Sequence, residues 1–297
     1  MSNHDNRITL RTWGDFACFT RPEMKVERVS YPVITPSAAR GILEAIYWEP
    51  QMYYLIDRIH IVKRGRWISI RRNEVTSVIS LDSAKTWMKS PEKVSPIQAG
   101  GGADDGTQRN MLALQEVEYL VTAEVRLTQL AQPPRDNLAK YLDKIKSRAA
   151  TGKCFHRPCF GVREFDVNFA LEETGADAAF ERRKNELATA GSPLTPITCE
   201  PLGLMLYDVF DHRKREHGFR WLRQEEIEAK EKQFETTLSG LKKGDQTKHR
   251  KNYAASAPRH GGAKIQPRPA FFQAEIRDSV MRCHPSQIKI LTQTLER

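Results

Sequence analysis

TWGDFACFTRPEMKVERVSYPVITPSAARGILEAIYW, residues 12–48, decides how this chain folds. It passes from a strand through a basic loop into a closely specified helix. Residues 7–13 alternate, with Ile8, Leu10 and Thr12 on one face and Thr9, Arg11 and Trp13 on the other, as a strand does. Residues 16–30 interleave Phe16 and Phe19 with Arg21, Lys25 and Arg28. Thr35 is placed to cap a helix and Pro36 to open it, because the N–H that proline lacks would be an orphan there. Ala38/Ala39, Ile42/Leu43 and Ile46/Tyr47 then recur at helical spacing as one apolar stripe. Pro50 is expected to stop the helix, whose last turn carries Tyr47 and Trp48 towards the basic loop.

Working outward, residues 53–62 alternate as a strand, and a short Arg64-Gly65-Arg66 turn leads to a second alternating run at 67–72. Residues 77–108 form an insertion with a helix at 80–89 and a Gly-rich stretch at 100–106. A long strand is predicted at 111–127, a helix at 135–150 with Leu138, Tyr141, Leu142 and Ile145 on its buried stripe, and a last strand at 161–171. Gly152 is suited to end that helix. Strand, helix, strand, strand, helix, strand is the ferredoxin-like, RRM-like order, an α+β fold with an antiparallel sheet covered by two helices on one face. Its other face is expected to be free for a ligand. The aromatic motif of ordinary RNA-recognition domains is absent, so RNA held here would meet loops and backbone.

The expected organisation is a domain at 1–173, a linker at 174–203 with a charged helix at 174–192, and a smaller β-rich domain at 204–297. That second unit starts a strand at 204–210, carries a helix at 225–241 and closes with a strand at 271–276. Within it, residues 242–268 hold eight Lys or Arg against Asp245 alone. Such a run reads equally as a solvated loop or as a segment that orders on phosphates.

The 297 residues are 39% hydrophobic, enough for a real core, and a net charge of +10 makes a polyanion a fair partner. No apolar run suits a signal peptide or a membrane span, and the five scattered cysteines suit a reducing compartment, so the expected location is the cytoplasm with no membrane partner. Cys154 and Cys159 flank His156, but a fourth ligand at finger spacing is missing, so no metal or other cofactor is expected.

Residues 12–48, IRRNEV at 70–75 and GKCFHRPCFGVREF at 152–165 together resemble the CRISPR-associated Cas-five family of the RAMP superfamily, in its type I-C branch. The resemblance covers roughly half the chain and is looser beyond residue 174. It implies a metal-independent endoribonuclease that cuts CRISPR repeat RNA and keeps the 5′ handle as a Cascade subunit. The implied protein partners are the Cas-seven backbone and Cas-eight large subunits, with target DNA met only through Cascade. A non-catalytic subunit that grips the 5′ handle is the alternative.

In the implied reaction the ribose 2′-OH attacks its own phosphate, leaving a 2′,3′-cyclic phosphate and a 5′-OH. This needs an acceptor for the 2′-OH proton, a cation for the phosphorane and a proton for the leaving oxygen. The family's catalytic tyrosine matches Tyr47, whose phenol would need cations such as Arg21, Lys25 or Arg28 to lower its pKa. The family's lysine–histidine pair matches Lys140 and, as a departure, Tyr141. His156, flanked by Lys153 and Arg157 in a glycine-bounded loop, is the substitute acid or base. Arg71 and Arg72 suit phosphate contacts, giving an RNA-binding set of Arg21, Lys25, Arg28, Arg71, Arg72, Lys153 and Arg157.

Overall fold

The computed structural model describes residues 6–100, 102–211, 224–255 and 267–292. Strand β1 (Arg7–Ala17) leads through the two-residue β2 (Arg28–Val29) to helix α1 (Pro36–Ile46). β3 (Met52–Lys63), β4 (Arg66–Val75), helix α2 (Leu81–Lys89), β5 (Gly106–Leu127), α3 (Leu138–Ala150) and β6 (Asn168–Leu171) follow. The later elements are α4 (Ala176–Thr189), β7 (Cys199–Asp211), α5 (Gln224–Ser239), α6 (Lys243–Ala255), β8 (Pro267–Arg277), β9 (Val280–Arg282) and β10 (Ile290–Thr292).

The spatial order β3-β5-β1-β6, all neighbours antiparallel, is the ferredoxin-like sheet expected from the sequence. Alternation puts Ile8 and Leu10 of β1 and Ile59 and Ile61 of β3 into the core that α1 closes with Ile42, Leu43 and Ile46, all almost fully buried. Each such side chain contributes about 1.5–3 kcal/mol by leaving water. The Thr35 hydroxyl accepts the Ala38 N–H at 3.2 Å, and Pro36 occupies the first turn as its missing donor allows.

Arg64-Gly65-Arg66 does not reverse the chain. β3 and β4 run in the same direction along successive lengths of β5, Lys63 opposite Glu118 and Arg66 opposite Gln115. Gly65 (φ 84°) and Glu116 (φ 61°) take left-handed conformations at this kink, and a Cβ on Gly65 would lie 2.7 Å from the Gln115 carbonyl oxygen. The outer half of β5 thereby carries β4 as an arm, whose Ile68 and Ile70 still pack against the core.

The sheet's second face is not open. α4 lies on it, packing Ala179 and Leu187 against Val62 and Leu120. Buried Glu118 of β5 accepts from Arg11 of β1 at 2.7 Å and from Arg183 of α4 at 2.8 Å. The residues expected as a linker thus cover the face expected to meet a ligand. The predicted strand at 161–171 is also shorter: only Asn168–Leu171 pairs with β1, while 161–167 turn back across Phe160 and Phe165.

The later β unit is continuous with the first sheet, because β9 pairs with both β3 and β8, and β8 pairs with β7 and β10. Arg40 of α1 donates two hydrogen bonds of 2.7 Å to buried Asp208 of β7 and so ties the first helix to this unit. Residues 243–255 of the basic segment form a helix rather than a loop, held by a stack of Phe234, His249 and Tyr253. Arg259 and Lys264 lie outside the described residues. Among the described residues no helix is long and apolar enough to cross a membrane.

Candidate active site

α1 ends one residue before Tyr47, which turns extended (φ −158°, ψ 129°) while its N–H still reaches the Leu43 carbonyl at 3.0 Å. The last carbonyls of the helix do not face solvent. The Phe155 and His156 N–H groups donate to the Ala45 carbonyl at 2.9 and 2.8 Å, and the Arg148 guanidinium donates to that of Ile46 at 3.2 Å. Loop 152–161 and α3 therefore cap the negative end of α1, as helix ends require. The Tyr54 hydroxyl fixes the next carbonyl, that of Tyr47, at 2.7 Å.

Tyr47 as a whole residue is 6% exposed. Its phenol donates to the Glu49 carboxylate at 2.5 Å, and Glu49 in turn meets the Lys144 ammonium at 3.4 Å. Lys144 and Arg148 lie 5.5 and 5.3 Å from the ring centre, and the Tyr141 ring is 6.5 Å away. Burial pushes the phenol's pKa up, the Glu49 carboxylate pushes it further, and Arg148 opposes them only in part. The cations beside Tyr47 thus come from α3 and not from Arg21, Lys25 or Arg28, and the phenol is held protonated.

Behind it, Asp136 is 1% exposed and gathers Arg135, the Lys140 ammonium at 3.2 Å and the Tyr141 hydroxyl at 2.7 Å. Burial opposes its ionisation, but Arg135, the Gln132 N–H and Tyr141 together hold its carboxyl below the usual range. Lys140 pairs with Asp136 while its side chain stays 31% exposed, and Tyr141 stands in the core as its position on the apolar stripe implies.

Loop 152–161 starts at Gly152 (φ 68°) and ends at Gly161 (φ 85°), where a Cβ would fall 2.0 Å from the Cys18 carbonyl oxygen. Between these points Lys153, His156 and Arg157 are exposed, His156 sits edge-on to Phe155 at 4.5 Å, and Arg157 pairs with Asp166 at 2.6 Å. The Cys18 N–H binds the Phe160 carbonyl at 3.0 Å, so one short segment connects the exit of α1 to the end of β1.

At that second end Arg28 and Arg72 both act electrostatically on the buried Cys18 thiol, whose pKa burial nevertheless raises. Arg72 also pairs with Glu164, and Arg21 lies over the Tyr31 ring at 4.6 Å. Lys25 and Arg71 are exposed, with Arg71 beside Arg72 on the β4 arm. The expected residues therefore form two stations: Tyr47 with α3 and the backbone of His156 at the exit of α1, and Arg28 with Arg72 about Cys18. Sequence reasoning missed Glu49, Arg148 and Asp136, and only the i, i+4 spacing of Lys144 and Arg148 hinted that they share a helix face. Among the described residues no group of three or more His, Cys, Asp or Glu is arranged to hold a metal ion.

The family model described as CRISPR-associated protein (Cas_Cas5) matches residues 7–236. This chain belongs to the Cas5 family. A relative from Mannheimia succiniciproducens named CRISPR pre-crRNA endoribonuclease Cas5d is 42% identical over 216 residues, 72% of this chain and 90% of that protein. One of the same name from Thermus thermophilus is 41% identical over 164 residues, 55% of this chain and 63% of that protein. A crystal structure described as a CRISPR-associated protein superposes with a TM-score of 0.50 over 96% of each chain at 13% identity, a likeness of fold alone. The Cas5 match includes the Tyr47 station, loop 152–161, the β4 arm and α4, and it stops before α6.

Proposed function

We propose that this Cas5-family chain is a metal-independent endoribonuclease of type I-C CRISPR repeat RNA that keeps the 5′ handle of its product within Cascade. The observation that carries the reading is the phenol of Tyr47, set at the helix exit between a carboxylate and two cations, where the backbone of a cationic loop caps the helix. Its two relatives named as pre-crRNA endoribonucleases agree with it.

In this mechanism Tyr47 receives the 2′-OH proton, and Lys144 and Arg148, backed by Lys140, stabilise the phosphorane. His156 gives a proton to the leaving 5′ oxygen. Arg28 and Arg72 with Arg71, Lys153, Arg157, Arg21 and Lys25 hold the backbone, and Phe155, 74% exposed, offers a face on which a base can stack. The Cas-seven and Cas-eight subunits are the protein partners of this reading, and target DNA is reached through them.

The test is cleavage of repeat RNA in EDTA beside the same RNA carrying 2′-deoxyribose at the cut. Cutting of the first and sparing of the second is expected. A requirement for magnesium, or cutting of the deoxy substrate, refutes the chemistry. Two observations favour a non-catalytic clamp on the 5′ handle: the phenol is buried, and Tyr141, bonded to Asp136, stands at the position of the family histidine. Tight binding of the handle with no cyclic-phosphate product would establish that second reading.

A further inference from the structure

A base at the 2′-OH must itself pass a proton on, and the structure places only one acceptor on the Tyr47 hydroxyl among its described contacts. The phenol donates to Glu49 Oε1 at 2.5 Å. Glu49 follows the helix exit by two residues, its side chain is 33% exposed, and the Lys144 ammonium lies 3.4 Å away. The other titratable groups around the pair are Arg148 across the ring, Tyr141 at 6.5 Å, Tyr54, whose hydroxyl donates to the Tyr47 carbonyl, and, behind them, Asp136. Because burial and the neighbouring carboxylate both hold the phenol protonated, free tyrosinate is disfavoured. A carboxylate already bonded to the phenol removes that obstacle.

We propose that Glu49 is the terminal proton acceptor of the cleavage step and that Tyr47 relays to it. The inference rests on the endoribonuclease reading above. As the 2′ oxygen forms its bond to phosphorus, its proton moves to Tyr47 Oη while the phenol proton moves to Glu49 Oε1. The bond from phosphorus to the 5′ oxygen then breaks, and that oxygen takes a proton from the His156 imidazolium. Glu49 ends protonated and His156 neutral, so charge and protons balance. Tyr47 never carries a full negative charge, and Lys144 holds Glu49 in line. Glu49 is a positioning residue in this scheme, because it reaches the RNA only through the phenol.

The experiment measures single-turnover cleavage of repeat RNA, and affinity for the uncleavable 2′-deoxy RNA, for Y47F, E49Q and E49A, with thermal melts in parallel. Expected for E49Q and E49A is a loss of about 100-fold in rate with the Kd changed less than about threefold. Formate should restore E49A in a saturable way by filling the acceptor position, and it should not restore Y47F. Wild-type cutting by E49Q or E49A, a loss carried by Kd or melting temperature, or a loss that formate cannot repair each overturns the relay. Failure of the reading beneath it looks different: the unaltered protein makes no cyclic phosphate, or Y47F cuts at full rate.

Discussion

Removing one oxygen from Tyr47 separates chemistry from architecture. In Tyr47→Phe the ring keeps its packing against Tyr141 at 6.5 Å and its place under Lys144 and Arg148 at 5.5 and 5.3 Å. The backbone anchors are untouched, since the Tyr47 N–H to Leu43 and the Tyr54 hydroxyl to Tyr47 carbonyl bonds do not involve the phenol. What is lost is one hydrogen bond to Glu49, and that carboxylate keeps Lys144. The stability cost is therefore about 1 kcal/mol, the net worth of one hydrogen bond whose surviving partner is still paired. RNA affinity should change less than about threefold, because no phosphate-facing cation moves. Losing the group that takes the 2′-OH proton should slow cutting by about 10²–10⁴, or about 2.7–5.5 kcal/mol of barrier. The assay is single-turnover cleavage of repeat RNA in EDTA, with product ends checked for the cyclic phosphate. An unchanged rate refutes the reasoning and moves the base elsewhere, to His156 first.

Three further outcomes are expected. Gly161→Ala forces a Cβ to within 2.0 Å of the Cys18 carbonyl oxygen at φ 85° and should cost at least about 2 kcal/mol by denaturant unfolding; a neutral effect would mean that loop 152–161 is not held as described. Glu118→Ala leaves Arg11 and Arg183 without their shared buried carboxylate and should cost about 3 kcal/mol. Although burial opposes it, these arginines hold the Glu118 carboxyl below its usual range, so the folded state binds fewer protons than the unfolded one. That stabilisation is present above the unfolded carboxylate pKa of about 4.3 and lost as pH falls through the depressed folded value, so the variant's stability should fall less steeply in acid. Replacing Lys243, Lys248, Arg250 and Lys251 of α6 with alanine should flatten the log–log salt dependence of RNA binding by about 0.7 per phosphate contact, and an unchanged slope would assign the helix to solvent or protein.

What could be read from the chain follows from how local each cause is. α1 was legible because its cap, its opening proline and its stripe are written within a dozen residues. The strands of the ferredoxin-like unit were legible from alternation over buried faces. The covering of the second face was not, because α4 buries only a few small or apolar side chains and is tied down by Arg183 to Glu118, 65 residues apart. Residues 161–167 imitated a strand since Val162, Phe165 and Val167 are buried, yet they are buried by a turn folding back on Phe160. The helical form of α6 was not legible because cations dominate it, leaving a solvated loop and a segment ordering on phosphates equally open, while Gln246, His249 and Tyr253 supply the contacts that hold it on α5 and, through Pro133, on the approach to α3. At the site, Tyr47 could be named from its context, but its true neighbours come from α3, more than ninety residues later in the chain.

The two stations are joined by a segment whose backbone is fixed at both ends while its cations stay in solvent. Phe155 and His156 give their N–H groups to the end of α1, and Phe160 gives its carbonyl to Cys18, so the loop has little freedom left to lose. A cationic loop that is ordered before RNA arrives spends less binding energy on its own immobilisation and leaves more for aligning the sugar with the scissile bond. The same anchoring neutralises the carbonyl end of α1, which would otherwise place partial negative charge beside Tyr47. With Arg148 serving that end and facing Tyr47 as well, the helix cap and the candidate catalytic cation are one side chain. Substitution of Arg148 would therefore disturb fold and chemistry together, whereas Tyr47 and Glu49, whose side chains carry no cap, are the positions at which the chemistry can be tested by itself.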